Sequence, residues 1–99
     1  MLRHVVLFSW KKETSEEKIK EIEQAFADLP GRIDVIEDFE WGTDVSVENR
    51  AHGFTHCFFV SFKTEEDRDA YLPHPAHQAF VELVTPLFED VLVIDYLKQ

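Results

Sequence analysis

The chain has 99 residues, and its 20 acidic and 10 basic side chains give a formal charge of −10. That balance repels phosphate backbones and anionic membrane surfaces, so neither nucleic acid nor membrane is an expected partner. With 44% hydrophobic residues, 13% aromatics and nine Phe, it has the composition of a folded chain with a Phe-rich core. The length suits one domain over residues 1–99, burying roughly 60–68% of the surface that the unfolded chain exposes.

The lone Cys57 excludes an intrachain disulfide, and Met1-Leu2-Arg3-His4 leads into strand-like sequence without a signal peptide's apolar core. No apolar run approaches the ~20 residues of a bilayer span. A reducing, cytoplasmic setting is the expectation.

In chain order, His4–Trp10 is β-branched and aromatic without a breaker, and reads as a strand with His4, Val6 and Phe8 on one face and Val5, Leu7 and Ser9 on the other. Thr14-Ser15-Glu16-Glu17 has the form of a capping box, and Ile19, Ile22, Phe26 and Leu29 recur at helical spacing until Pro30-Gly31. Residues Ile33–Trp41 predict a second, more polar edge strand closed by Gly42, followed by a charged loop to Gly53. Phe54–Phe62 predicts the strongest strand, with His56, Phe58, Val60 and Phe62 opposite Thr55, Cys57, Phe59 and Ser61. Thr64 caps a short acidic helix to about Ala70, Ala76 to about Phe88 resumes as helix, and Val91–Tyr96 is the last strand.

The order βαββαβ predicts an α+β, ferredoxin-like subunit: an antiparallel four-stranded sheet with its helices on one face. The other face, bearing Val5, Leu7, Cys57 and Phe59, then needs a cover, and a homodimer packed sheet to sheet supplies one.

Chemistry concentrates in Tyr71-Leu72-Pro73-His74-Pro75-Ala76-His77. Each proline fixes its own φ and restricts the residue before it, so the helix must break here; Pro75 suits a first helical turn, with His74 near the N-cap. His77 then shares a stripe with Phe80, Val81, Val84 and Phe88, and strand parity aims His4 and His56 at the same interior. Taken singly, a histidine in such a place is more often a hydrogen-bonded core residue than a functional one.

As a set, His77 and Tyr71 are the candidate catalytic base and carbonyl donor, and His4, His56, Phe58, Val6 and Phe80 are candidate ligand-binding residues. His74-x-x-His77 lacks acidic or thiolate ligands nearby, so no metal and no cofactor is expected. Cys57, in mid-strand without a base, reads as a small hydrophobe.

Arg3-His4-Val5-Val6-Leu7-Phe8, Trp41-Gly42-Thr43-Asp44-Val45, Phe54-Thr55-His56 and the Tyr71–His77 stretch together resemble the stress-responsive dimeric α/β-barrel (Dabb) family, over essentially the whole chain. The resemblance implies a dimer of ferredoxin-like subunits whose sheets close into a barrel. Its implied chemistry is that of a plant polyketide cyclase of the family, which closes a linear poly-β-ketone by an aldol step; that enzyme's tyrosine and histidine resemble Tyr71 and His77, and its strand histidines resemble His4 and His56. The position of a pocket tyrosine in the cyclase resembles Phe26 here, which the resemblance thereby adds to the candidate ligand-binding residues.

Three functions follow as expectations: binding of a small apolar or enolisable molecule in a stress role, proton-transfer catalysis of the cyclase or lyase type, and, by analogy of fold alone, a cofactor-free monooxygenase or isomerase.

Overall fold

Leu2–Trp10 forms the strand β1, in which Leu2, His4, Val6 and Phe8 are buried and the residues between them half-buried. In the computed structural model, which describes residues 1–99, β1 lies inside the sheet and pairs antiparallel with β3 (His56–Phe62) on one side and β4 (Phe88–Leu97) on the other. The edge strand β2 (Asp38–Thr43) completes the order β2-β3-β1-β4. Three helices, α1 (Glu16–Ala27), α2 (Glu65–Tyr71) and α3 (Pro75–Val84), cover one face. The fold is the expected ferredoxin-like βαββαβ arrangement.

Registers decide which side chains share a face. Val6 stands opposite Phe58 and Val93, and His4 opposite Val60 and Asp95, so all of these point toward the helices. The core beneath the helices is aromatic: the Phe26 ring stacks at 4.3 Å on Phe58 and meets Phe80 edge-on at 4.7 Å.

The opposite face shows Val5, Leu7, Cys57 and Phe59 half-buried and the β4 residues Leu92, Ile94 and Tyr96 exposed. The slab is only 17 Å thick. Its 6565 Å² of accessible surface exceeds the roughly 5,800 Å² of a compact monomer of this mass.

Three local expectations need correction. The helix α1 is capped one residue later than the capping box implied: Ser15 accepts the Lys18 N–H, while the Thr14 hydroxyl donates to the Leu87 carbonyl. β2 starts at Asp38, not near Ile33, because a 3-10 turn over Leu29–Gly31 and bonds from Ile33 N to Leu29 O and from Ile36 N to Ile33 O keep the chain coiled. Ile33 is thereby buried in the core instead of pairing. Finally, α3 stops at Val84 and β4 begins at Phe88, which pairs with Trp10. Pro86 has no N–H to continue the helix, and the chain turns through a Leu87 N to Val84 O bond.

Phe58 is fully buried and carries the ring stack. Phe58→Ala is therefore expected to lower stability by about 3–5 kcal/mol in urea unfolding with an unchanged slope. A loss below about 1 kcal/mol would contradict this account of the core.

Candidate active site

Pro73 and Pro75 shape the site by removing donors. Thr64 opens α2 by accepting the Asp67 N–H, and the helix ends at Tyr71. Neither proline offers an N–H, and Ala76 N–H turns to the His74 side chain, which caps α3 through Nδ1. The Leu72 carbonyl, which Ala76 would take in a continuing helix, is left free. His77 Nδ1 and Gln78 Nε2 donate to it at 2.9 and 3.1 Å. With Nδ1–H committed to a carbonyl, His77 Nε2 keeps the lone pair.

His77 lies against Tyr71, ring centroids 4.4 Å apart, and Tyr71 in turn meets His4 edge-on at 5.7 Å. All three line a cavity of about 260 Å³ between α3 and the β1–β4 half of the sheet. Its other walls are mainly apolar and include Val6, Phe26, Phe80, Val84 and Val93. Polar groups therefore cluster at one end of an apolar chamber, the usual design of a small-molecule site.

Tyr71 is fully buried, and its hydroxyl is a buried side-chain polar atom without a hydrogen-bond partner. Burial pushes the phenol well above its ordinary range, so it stays a donor at any physiological pH. Burial also lowers His77, against the opposing effect of its bond to the Leu72 carbonyl, with smaller lowering from His4 and His74. A base held neutral thus stands beside a donor held protonated.

Of the residues singled out from sequence, His77, Tyr71, His4, Val6, Phe26 and Phe80 come together around this cavity. His56 and Phe58 do not line it. Phe58 is the floor of the aromatic stack. His56 is buried at the other end of the sheet, where Trp10 Nε1–H donates to its Nδ1 at 3.1 Å and its Nε2 lies 2.7 Å from Glu23. Trp41 stacks on its ring at 6.0 Å. This is a clamp joining β1, β3, β2 and α1, with every ring nitrogen used.

A second hollow of about 460 Å³, lined by Leu7, Cys57, Leu92 and residues of the 44–55 loop, lies on the opposite sheet face, away from the Tyr71–His77 pair. Burial, then the Glu40 carboxylate, raises the Cys57 thiol, the reverse of an activated nucleophile.

Sequence reasoning missed Asp95 and Arg68. Asp95 Oδ1 accepts from His4 Nδ1 at 2.6 Å, and Asp95 Oδ2 accepts from Arg68 at 2.9 Å. The signal was present in β4: Asp95 interrupts an apolar run at the parity of Val91 and Val93, which aims a carboxylate inward. No group of three or more His, Cys, Asp and Glu side chains is arranged to hold a metal ion.

The model of the stress responsive A/B barrel domain matches residues 2–98. The chain belongs to that family. It is 41% identical over 95 residues to the stress-response A/B barrel domain-containing protein HS1 of Arabidopsis thaliana, covering 96% of this chain and 87% of that protein. It is 30% identical over 95 residues to olivetolic acid cyclase of Cannabis sativa, covering 96% and 94%.

Among solved structures, hydroxynitrile lyase from Passiflora edulis superposes with a TM-score of 0.94 at 28% identity, covering 99% of this chain and 93% of that one. A dimeric ferredoxin-like protein from Thermobifida fusca shares the fold with a TM-score of 0.84 at 22% identity, covering 98% and 90%. The family resemblance drawn from the Tyr71–His77 stretch and the strand motifs is borne out.

The lowered His77 value has a consequence for stability. Between the ordinary histidine value of about 6.5 and the lower folded one, the unfolded chain binds a proton that the folded chain refuses, so stability rises with pH across that window. Acidification is expected to begin lowering the melting temperature near pH 6.5 by an increment that His77→Gln removes. Identical pH slopes for the two proteins would contradict the buried, neutral imidazole.

Proposed function

We propose that the cavity binds a small, partly apolar carbonyl compound and that His77 and Tyr71 carry out a cofactor-independent proton transfer on it. The observation that carries this reading is the buried Tyr71 hydroxyl with no partner, beside an imidazole whose Nδ1 is committed to the Leu72 carbonyl. A buried donor left unpaired costs about 1–3 kcal/mol, a penalty that a ligand carbonyl accepting from it would relieve.

In the reaction, His77 Nε2 removes a proton between two carbonyls, and the Tyr71 O–H donates to the oxygen on which enolate charge develops. The enolate then attacks a second carbonyl or is reprotonated, with the imidazolium returning its proton. The family relatives named as a cyclase and as a lyase support base chemistry of this type. Binding in a stress role without turnover is the second reading, favoured by the 41% identity to a stress-response protein.

The working unit in this proposal is a homodimer, closed over the face that carries Leu92, Ile94 and Tyr96. The dimeric fold neighbour and the large, thin surface of the chain support it. A cytoplasmic setting rests on the single free Cys57; no helix is long and apolar enough to cross a membrane.

Two outcomes are expected. A panel of enolisable 1,3-dicarbonyl compounds should contain one that the wild type turns over, with His77→Gln slower by about 10²–10⁴-fold and the fold retained; a wild-type rate in that variant would exclude His77 as the base. Sedimentation should show twice the 11.6 kDa chain mass, and Ile94→Glu, a charge in the centre of the apolar face, should yield monomers. A wild-type monomer would end the barrel model.

A further inference from the structure

We propose that Arg68 is a positioning residue for the cavity: by holding one Asp95 oxygen it keeps the other on His4 Nδ1, so that His4 offers a bound ligand the Nε2 lone pair and not an N–H. This deepens the proton-transfer reading and rests on it.

Arg68 sits in α2 one turn before Tyr71, the lone cation among Glu65, Glu66, Asp67 and Asp69. Its three guanidinium nitrogens are divided among three carboxylates: Nη1 reaches Asp95 at 2.9 Å, Nε reaches Asp69 at 3.0 Å and Nη2 lies 3.9 Å from Glu65. The contact with Asp95 joins α2 to β4 across 27 residues of sequence, beside the cavity.

Asp95 is thus fixed from both sides, with Oδ2 on Arg68 and Oδ1 on His4. A carboxylate accepts only, so the proton of its 2.6 Å contact belongs to His4 Nδ1. His4 is 5% exposed and packed between Phe62 and Tyr71, which leaves the imidazole little freedom to flip. With Nδ1 committed to Asp95, His4 Nε2 makes no bond within the chain.

The consequence is a rule for the ligand. An acceptor nitrogen at His4 and a donor at Tyr71, on neighbouring rings 5.7 Å apart, call for a molecule with a hydroxyl and a carbonyl close together. The enol that forms once a 1,3-dicarbonyl has lost its carbon-bound proton, or a hydroxy ketone, has that pair. Without Arg68, Asp95 is free to swing toward solvent, and His4 can exchange its tautomers.

The test reads the His4 ring directly, in ligand-free protein. Long-range proton–nitrogen spectra of uniformly nitrogen-15-labelled protein, assigned by comparison with His4→Gln, distinguish a protonated Nδ1 from a protonated Nε2. The wild type should show Nδ1–H and an unprotonated Nε2. Arg68→Gln should show averaged or inverted signals, and Arg68→Lys, which keeps the charge without the three-way guanidinium, should restore the wild-type pattern only in part. If Arg68→Gln does not fold, Arg68→Lys is read against the wild type in the same way.

With a 1,3-dicarbonyl that the wild type turns over, Arg68→Gln should lower kcat by about tenfold or more while KM moves less. Unchanged His4 signals in a folded Arg68 variant overturn the inference, whatever the fate of the proton-transfer reading. Shifted His4 signals in a protein that turns over no dicarbonyl uphold the positioning role, while that reading fails.

Discussion

The Leu72 carbonyl is the point on which the site depends. Two prolines within three residues deny it the amide partner of an uninterrupted helix, and the vacancy is filled by His77 Nδ1 and Gln78 Nε2. One backbone oxygen therefore fixes which nitrogen of His77 bears the proton. The same break turns α3 so that Tyr71 and His77, at the end of one helix and the start of the next, come to 4.4 Å between ring centroids. Helix termination and protonation are here one event: the residues that stop α2 also set which nitrogen of His77 bears the proton.

The sheet divides the labour among the histidines. β1 lies inside the sheet, so its inner face supplies the roof of the aromatic core and its outer face carries the half-buried side chains opposite the helices. Of the four buried or half-buried histidines, His74 caps α3, and the other three have three different partner sets. His56 uses both nitrogens on Trp10 and Glu23 and acts as a clamp; His4 is tied on one side to Asp95; His77 is tied on one side to a carbonyl. Only the latter two line the cavity. A buried imidazole with both nitrogens satisfied holds structure together, and one with a nitrogen unspent is poised to meet a ligand.

Much of this was legible in the sequence because parity and helical spacing are local. The alternation in β1 and β3 placed His4, Val6, Phe58 and Val60 on the inner face, and the prolines marked the break at Tyr71–His77. What was less legible depended on tertiary partners. The Ile33–Ile36 segment has strand-like composition, but its apolar side chains pack in or against the core while its backbone coils. The end of α3 was overrun because periodicity continued through Phe88, whereas Pro86 and the pairing of Phe88 with Trp10 ended the helix early. His56 shared the parity of the cavity residues but lies at the far end of its strand, and position along a strand is invisible until the helices are docked. The Asp95–Arg68 contact joins β4 to α2, a pairing that no spacing rule reports.

The central claim is that a neutral His77, with Tyr71 beside it, removes a proton from carbon in an apolar chamber. The most direct measurement is the exchange of the carbon-bound proton of a 1,3-dicarbonyl for solvent deuterium, followed by proton NMR with and without the protein. It isolates the proton-transfer step from any later bond formation. The account predicts exchange faster than in buffer alone, abolished in His77→Gln and weakened in Tyr71→Phe. Exchange at the buffer rate for every dicarbonyl shown to bind, or acceleration that survives in His77→Gln, would contradict it.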